Sequence, residues 1–218
     1  VLHSPPIASV KDSLYSGEAW TFDVAGNQVL LSGKRGEIHL GEIIPNKGGG
    51  TPTLKITELP ISIGNARVYR MKQLGQGKGL LILSDGRVIK IDNGQAQECY
   101  KTNGTRLLGL AYMPSKSWIC WSTADNKVMV WSEEKQAIEW EFKTTEAITN
   151  LAVDNQKQWL FGVDNGGNIS YWNLQTPNPE QAFLYEGSVP FTSLAYNSKR
   201  HFLVAGSADG HLLGMNLS

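Results

Sequence analysis

The chain has 218 residues, 41% hydrophobic, 9% aromatic and 18% charged, enough to bury a sizeable core. Lys+Arg and Asp+Glu both number 20, so the formal net charge is zero, which argues against a nucleic-acid backbone or an anionic membrane as a bulk electrostatic partner. Its 23 glycines follow no collagen period and point to many tight turns between short strands, and its longest aliphatic run, Leu80-Leu81-Ile82-Leu83, is far too short to span a membrane.

The N-terminal residues Val-Leu-His-Ser-Pro-Pro carry no basic segment followed by an apolar one, so no signal peptide is visible and a cytoplasmic or nuclear location is expected. From there the chain reads as one unit repeated. The first copy is Ala19-Trp-Thr-Phe-Asp23, Val29-Leu-Leu-Ser-Gly33 and Gly36-Glu-Ile-His-Leu40, with Thr53 to Leu59 as a fourth strand. The second is Ala66 to Met71, Leu80 to Ser84, Asp85 to Ile91 and Ala96 to Tyr100; Gly75, Gly77 and Gly79 reshape its first turn. Between these copies, Asn46-Lys-Gly-Gly-Gly-Thr-Pro52 reads as a solvated linker.

Three closer copies follow. Arg106 to Met113, Ala147 to Asp154 and Pro190 to Asn197 align without gaps. Each leads through a polar turn to a second strand, Trp118 to Ser122, Trp159 to Val163 and Phe202 to Gly206. Third strands lie within Asp125 to Trp131, Asn165 to Trp172 and Asp209 to Met215, and fourth strands at Ala137 to Phe142 and Ala182 to Tyr185. The first apolar residue of each third strand (Ile38, Val88, Val128, Ile169, Leu212) recurs at intervals of 50, 40, 41 and 43 residues. The preceding distance from Thr21, Ala111, Ala152 or Ala195 is a constant 17 residues. Fixed inner spacing with variable outer spacing is the signature of a structural unit joined by loops.

Four-stranded antiparallel units of about 40 residues are propeller blades. The expected fold is therefore an all-β, five-bladed β-propeller in one domain, 1–218, with blade cores at about 19–59, 66–100, 106–142, 147–185 and 190–218. The last blade lacks a fourth strand of its own. Residues 1–18, through Pro6 to Lys11 or Ser13 to Tyr15, are expected to close it, since an open sheet edge invites aggregation. The alternative is part of a six- or seven-bladed ring.

Ser122-Thr-Ala-Asp-Asn-Lys-Val-Met-Val-Trp131 and Ser207-Ala-Asp-Gly-His-Leu-Leu213 resemble the tryptophan–aspartate (WD) repeat family, with weaker echoes at Ser84 to Ile91 and Val163 to Trp172. In that family an aspartate of the turn between second and third strands accepts hydrogen bonds and fixes the hairpin. The resemblance assigns this structural turn role to Asp85, Asp125 and Asp209, with Asn165 in the corresponding place of the fourth copy, and matches the family's tryptophan with Trp131 and Trp172. Ser132 and Asn173 replace the aspartate that follows it, and the family's Gly-His pair is absent.

Trp118, Trp159 and Phe202 share one repeat position, which implies packing between blades rather than an aromatic binding cage. Trp20, Trp121, Trp131, Trp140 and Trp172 read likewise. Cys99 and Cys120 form no close-spaced motif and are expected as free thiols, and the histidines (His3, His39, His201, His211) are too scattered for a metal site or a catalytic triad. No metal and no small-molecule cofactor is expected. Asp23 and Asp154 end first strands at equivalent places, where a turn-forming role fits better than the paired carboxylates of a glycosidase.

What remains is surface. In propellers of this resemblance the face bearing the fourth-to-first-strand loops and the second-to-third-strand turns holds partner contacts. Here it presents Lys34, Arg35, Asn65, Lys101, Asn103, Lys143, Glu146, Asn165, Glu186 and His211, a mixture of signs suited to a protein or peptide. The function expected is a non-catalytic interaction scaffold, a subunit of a larger complex. The alternative is a carbohydrate-cleaving or carbohydrate-binding propeller.

Overall fold

The structure, a computed structural model, describes residues 21–33, 36–48 and 50–218. They form nineteen strands in five antiparallel sheets, the blades of a β-propeller. Blade 1 holds β1 (Thr21–Ala25), β2 (Gln28–Ser32), β3 (Ile38–Ile44) and β4 (Thr53–Glu58). Blade 2 holds β5 (Val68–Gly75), β6 (Lys78–Leu83), β7 (Arg87–Asp92) and β8 (Gln95–Lys101). Blade 3 holds β9 (Leu107–Met113), β10 (Trp118–Thr123), β11 (Lys127–Ser132) and β12 (Ala137–Lys143). Blade 4 holds β13 (Ile148–Asp154), β14 (Trp159–Asp164), β15 (Ile169–Asn173) and β16 (Ala182–Tyr185). Blade 5 has three strands among the described residues, β17 (Phe191–Asn197), β18 (Phe202–Ser207) and β19 (Leu212–Asn216). The closing strand expected within residues 1–18 lies outside the described residues.

The chain divides into two compact units, Val1–Thr102 and Asn103–Ser218. In the first, β1 lies beside β5; in the second, β9, β13 and β17 lie side by side. First strands as mutual neighbours are the propeller arrangement. Within each unit, neighbouring blades bury a face against one another. Leu30 and Ile38 of blade 1 pack with Met71, Leu81, Leu83 and Ile89 of blade 2. Ala111, Met113, Cys120, Val128 and Val130 of blade 3 meet Ile148, Leu151, Leu160 and Trp172 of blade 4. The other face of blade 4, through Phe161, Val163 and Ile169, packs on Phe191, Leu203 and Ala205 of blade 5. Period-two alternation therefore carries apolar residues on both faces of the central strands, as sheets covered on both sides require.

The turns repeat as faithfully as the strands. In every blade the turn between the second and third strands carries a residue of positive φ: Gly36 (88°), Gly86 (83°), Asn126 (60°), Gly167 (91°) and Gly210 (87°). In blades 2 and 3 this is the three-residue hairpin loop ending in a left-handed residue, which glycine or asparagine occupies most cheaply. The Asp92–Gln95 hairpin of blade 2 uses the other favoured form, with Asn93 (49°) and Gly94 (80°) both left-handed.

Aromatic residues at one repeat position fare differently in successive blades. Trp118 is buried against Trp140, edge to face at 4.8 Å, and Trp159 is half-buried with Lys157 Nζ 4.7 Å from its ring centre. Phe202 remains 39% exposed. It lies on a blade 5 face shared with Ala195 and Val204, whose blade 3 counterparts Ala111 and Cys120 are buried. Leu212, on that same face, is 78% exposed, whereas Ile38, Val88, Val128 and Ile169 at its repeat position are fully buried. The indole N–H of fully buried Trp172 has no acceptor among the described residues.

Candidate functional site

The expected interaction residues that the structure describes lie on or beside the connections assigned to them. Lys34 and Arg35 lie outside the described residues. In the first unit, Asn65 is exposed on the β4–β5 connection and Lys101 at the end of β8. In the second, Asn103, Lys143, Glu146, Asn165, Glu186 and His211 are all exposed, on or beside the loops entering β9, β13 and β17 and the turns of blades 4 and 5. Several of these second-unit loops touch. Asn126 Nδ2 donates to the Thr145 carbonyl at 3.3 Å, and a Cβ on Gly166 would lie 3.4 Å from Glu146 Cγ. A Cβ on Gly167 would stand 2.8 Å from the Ser188 and Val189 backbone nitrogens, so the blade 4 turn presses directly on the loop entering blade 5.

The turn residues divide the labour unevenly. Asp85 accepts from the Arg87 backbone N–H at 3.3 Å and its Nε at 2.8 Å. Asp209 accepts from the Ser207 hydroxyl at 2.5 Å and lies 3.0 Å from His211 Nδ1. Those bonds, the hydroxyl's first, hold its carboxyl down at about 2. In blade 3 the Thr123 hydroxyl, not Asp125, accepts from the Lys127 N–H, at 3.2 Å. In blade 4 the carboxylate is that of Asp164, which accepts from the Asn168 N–H and Nδ2 at 2.9 and 3.0 Å, and Gly166 occupies the central place taken elsewhere by Asp85, Asp125 and Asp209. Asn165 is exposed one residue earlier.

Where the loop after β16 meets the blade 5 turn, a cleft of about 310 Å³ opens, lined by Tyr185, Val189, Phe191, Asp209, His211 and Leu212 among others. Its origin is a broken repeat. In blade 3, Phe142 is buried and stacks on Trp172 of the next blade, with ring centres 5.9 Å apart and planes 20° from parallel. One blade later Tyr185 takes the place of Phe142, and Met215 takes that of Trp172. The aromatic stack is lost. Tyr185 turns edge-on to Phe191, with centres 5.9 Å apart, and stays 39% exposed. Val189 adds exposed aliphatic surface on the rim. Sequence reading marked Glu186 and His211 here but missed Tyr185 and Val189. The signal was present as the unmatched aromatic pair.

At the opposite ends of the first strands the carboxylates do structural work. Asp154 is fully buried; its Oδ1 accepts from the Gln156 and Lys157 N–H groups at 2.9 and 3.1 Å, its Oδ2 from the Tyr196 hydroxyl. Burial pushes its carboxyl upward, but these hydrogen bonds and nearby His201 outweigh that and hold it below the usual value. Asp23 accepts from the Gln73 N–H at 2.7 Å and pairs with Lys72 at 3.6 Å. Burial pushes the Cys120 thiol up to about 12, which makes it inert, and Cys99 is also a free thiol. Among the described residues no cluster of three or more His, Cys, Asp or Glu could hold a metal ion, and no helix is long and apolar enough to cross a membrane.

No family model matches the chain, and no curated protein matches it. Solved structures do. One, YCF48 bound to D1 peptide, is 20% identical over 89% of this chain and 62% of its own, with a TM-score of 0.59. Another, the computationally designed Ika8 protein, is 17% identical over 97% of this chain and 61% of its own, with a TM-score of 0.69. At such identities the likeness is one of fold. The chain spans about three fifths of the length of each.

Proposed function

We propose that this protein is a non-catalytic, WD-like β-propeller that binds a protein or peptide partner as part of a larger assembly, and that the cleft between blades 4 and 5 is its docking site. The observation carrying this reading is the concentration of exposed Tyr185 and Val189 around one cavity of about 310 Å³, on loops fixed by two blades. A rigid sheet scaffold displaying apolar anchors inside a polar rim is how peptide side chains are captured without a large interface. The structural neighbour solved with a D1 peptide supports peptide recognition by this fold. The hairpin turns built around Asp85 and Asp209 support the WD likeness. The non-catalytic reading is supported by the described first strands, whose only carboxylates, Asp23 and Asp154, are both engaged by backbone N–H groups.

The test is selection of peptides from a displayed random library by the whole chain, followed by affinity measurement on Tyr185→Ala, Val189→Asp and, in the first unit, Lys101→Glu. The first two are expected to lose about ten-fold or more in affinity, and Lys101→Glu to bind as the parent does. Unchanged affinity in both cleft variants overturns the site. Selective binding on a glycan array, with no peptide selected, favours the carbohydrate alternative.

A further inference from the structure

The walls of this cleft differ in chemistry, and the difference specifies what sits between them. Val189 and Leu213 form an aliphatic side, and the half-exposed Tyr185 ring, braced edge-on by Phe191, offers a π surface. The polar side is Ser207, Asp209 and His211. Asp209 is the one carboxylate among the lining residues, and none of them is Lys or Arg. The exposed Glu186 stands in the chain between two lining residues, Tyr185 and Gly187. Ser207 and His211 hold Asp209 in place and keep it ionised at any physiological pH.

We propose that the anchor residue received by this cleft is cationic: an arginine or lysine of an extended partner segment, with apolar neighbours. Its methylene stem lies along Val189 and Leu213, since such side chains bury their stems and keep the charge near water. Its head group lies between the Tyr185 ring and the carboxylates of Asp209 and Glu186, combining cation–π attraction with charge pairing. An acidic side chain in the same place meets Asp209 and Glu186 with no lining Lys or Arg to offset them. An uncharged one fills the apolar side but leaves the carboxylates unanswered. The proposal rests on the cleft being the docking site, and the experiment separates the two ideas.

The probes are the blocked pentapeptides Gly-Leu-Arg-Leu-Gly, Gly-Leu-Gln-Leu-Gly and Gly-Leu-Glu-Leu-Gly, titrated into the full chain while amide resonances are followed by NMR. The arginine peptide is expected to shift Gly187, Val189 and His211 and to bind at least about five-fold tighter than the glutamine peptide. That preference is expected to shrink between about 20 and about 300 mM salt. Glu186→Gln, which leaves the turn bonds of Asp209 untouched, is expected to reduce it, and Asp209→Asn to reduce it further. Equal binding of the arginine and glutamine peptides at the cleft overturns the cationic anchor and leaves peptide docking standing. Tighter binding of the glutamate peptide overturns it equally. Absence of any shift at the cleft with all three peptides overturns both.

Discussion

The hydroxyl of Tyr196, in the first strand of blade 5, donates at 2.5 Å to the buried carboxylate of Asp154, at the end of the first strand of blade 4. His201 Nδ1 lies 3.2 Å from the same hydroxyl. Asp154 thereby ties its own strand-to-strand turn to the neighbouring blade, while burial and then the Asp154 bond and charge push the tyrosine hydroxyl well above its ordinary value. Removing the hydroxyl leaves a buried carboxylate with one bond fewer. Tyr196→Phe is expected to cost about 1.5–3 kcal/mol in urea denaturation at neutral pH.

The pH dependence follows from the same bond. The Asp154 carboxyl is held below its ordinary value in the folded chain, so the unfolded chain takes up a proton first as the solution is acidified. Its contribution to stability is complete above the ordinary carboxylate range and falls away as pH drops through the lowered folded value. Tyr196→Phe is expected to flatten that acid-side loss, since the folded carboxyl moves back toward its ordinary value. Denaturation midpoints measured from about pH 7 down to about pH 3 check it, and curves parallel to the parent's contradict the assignment.

Two glycines of the same turn position separate backbone strain from contact. Gly210 has φ 87° with nothing within 4 Å of an added Cβ. Gly167 has φ 91° and would place that Cβ 2.8 Å from three backbone atoms of Ser188 and Val189. Gly210→Ala is expected to cost about 1–2 kcal/mol, the left-handed penalty alone. Gly167→Ala must also displace the loop that lines the cleft, so it is expected to cost more and to weaken peptide binding. Thermal denaturation alongside the peptide titration distinguishes them.

Much of this was legible in sequence because the repeat is written in residues that pack. The constant spacing to Ile38, Val128, Ile169 and Leu212, with Val88 at the corresponding place of the second copy, falls within one residue of the start of each third strand, and β16 begins and ends where the alternation of Ala182 to Tyr185 places it. The boundary shifts elsewhere are small, and they come from turns. Asp85, Asp125 and Asp209 read as strand starts but sit in the loops that precede Arg87, Lys127 and Leu212. The cleft was not legible as a motif, because no residue in it is unusual alone. It arises from two substitutions far apart in the chain, Tyr185 for the phenylalanine and Met215 for the tryptophan of the preceding blade pair. Only the pairing of blades brings those positions into one comparison.

Between blades 3 and 4 a single hydroxyl serves both sides. The fully buried Ser122 Oγ accepts from the Gly109 N–H at 2.8 Å and donates to the Ile148 carbonyl at 2.6 Å. A Cβ on Gly109 would lie 2.9 Å from that oxygen, so the glycine is what lets the hydroxyl approach. Ser122→Ala strands a buried donor and a buried acceptor and is expected to cost about 2–4 kcal/mol. Amide hydrogen exchange at Gly109 supplies a local readout, with faster exchange expected in the variant.

The origin of the cleft yields the sharpest test of its role. If the cavity exists because Met215 replaces an aromatic partner, then Met215→Trp restores the partner that Trp172 gives Phe142. The phenylalanine–tryptophan pair buries both rings at 5.9 Å in a nearly parallel stack, an arrangement worth about 0.5–1.5 kcal/mol beyond area burial. Tyr185 differs from Phe142 by a hydroxyl that can remain at the rim, so the stack is open to it once an indole is present. Met215→Trp is therefore expected to draw Tyr185 inward, close the cleft and lower peptide affinity about ten-fold or more, with stability equal to or above that of the parent. Loss of binding without loss of stability separates this variant from an ordinary core lesion, which lowers both. Overpacking is the competing physical effect, since added volume in a filled core costs about 1–3 kcal/mol. A crystal structure of the variant decides between them: Tyr185 stacked on the new indole supports the broken-repeat origin, and Tyr185 still exposed beside Phe191 with binding unchanged refutes it.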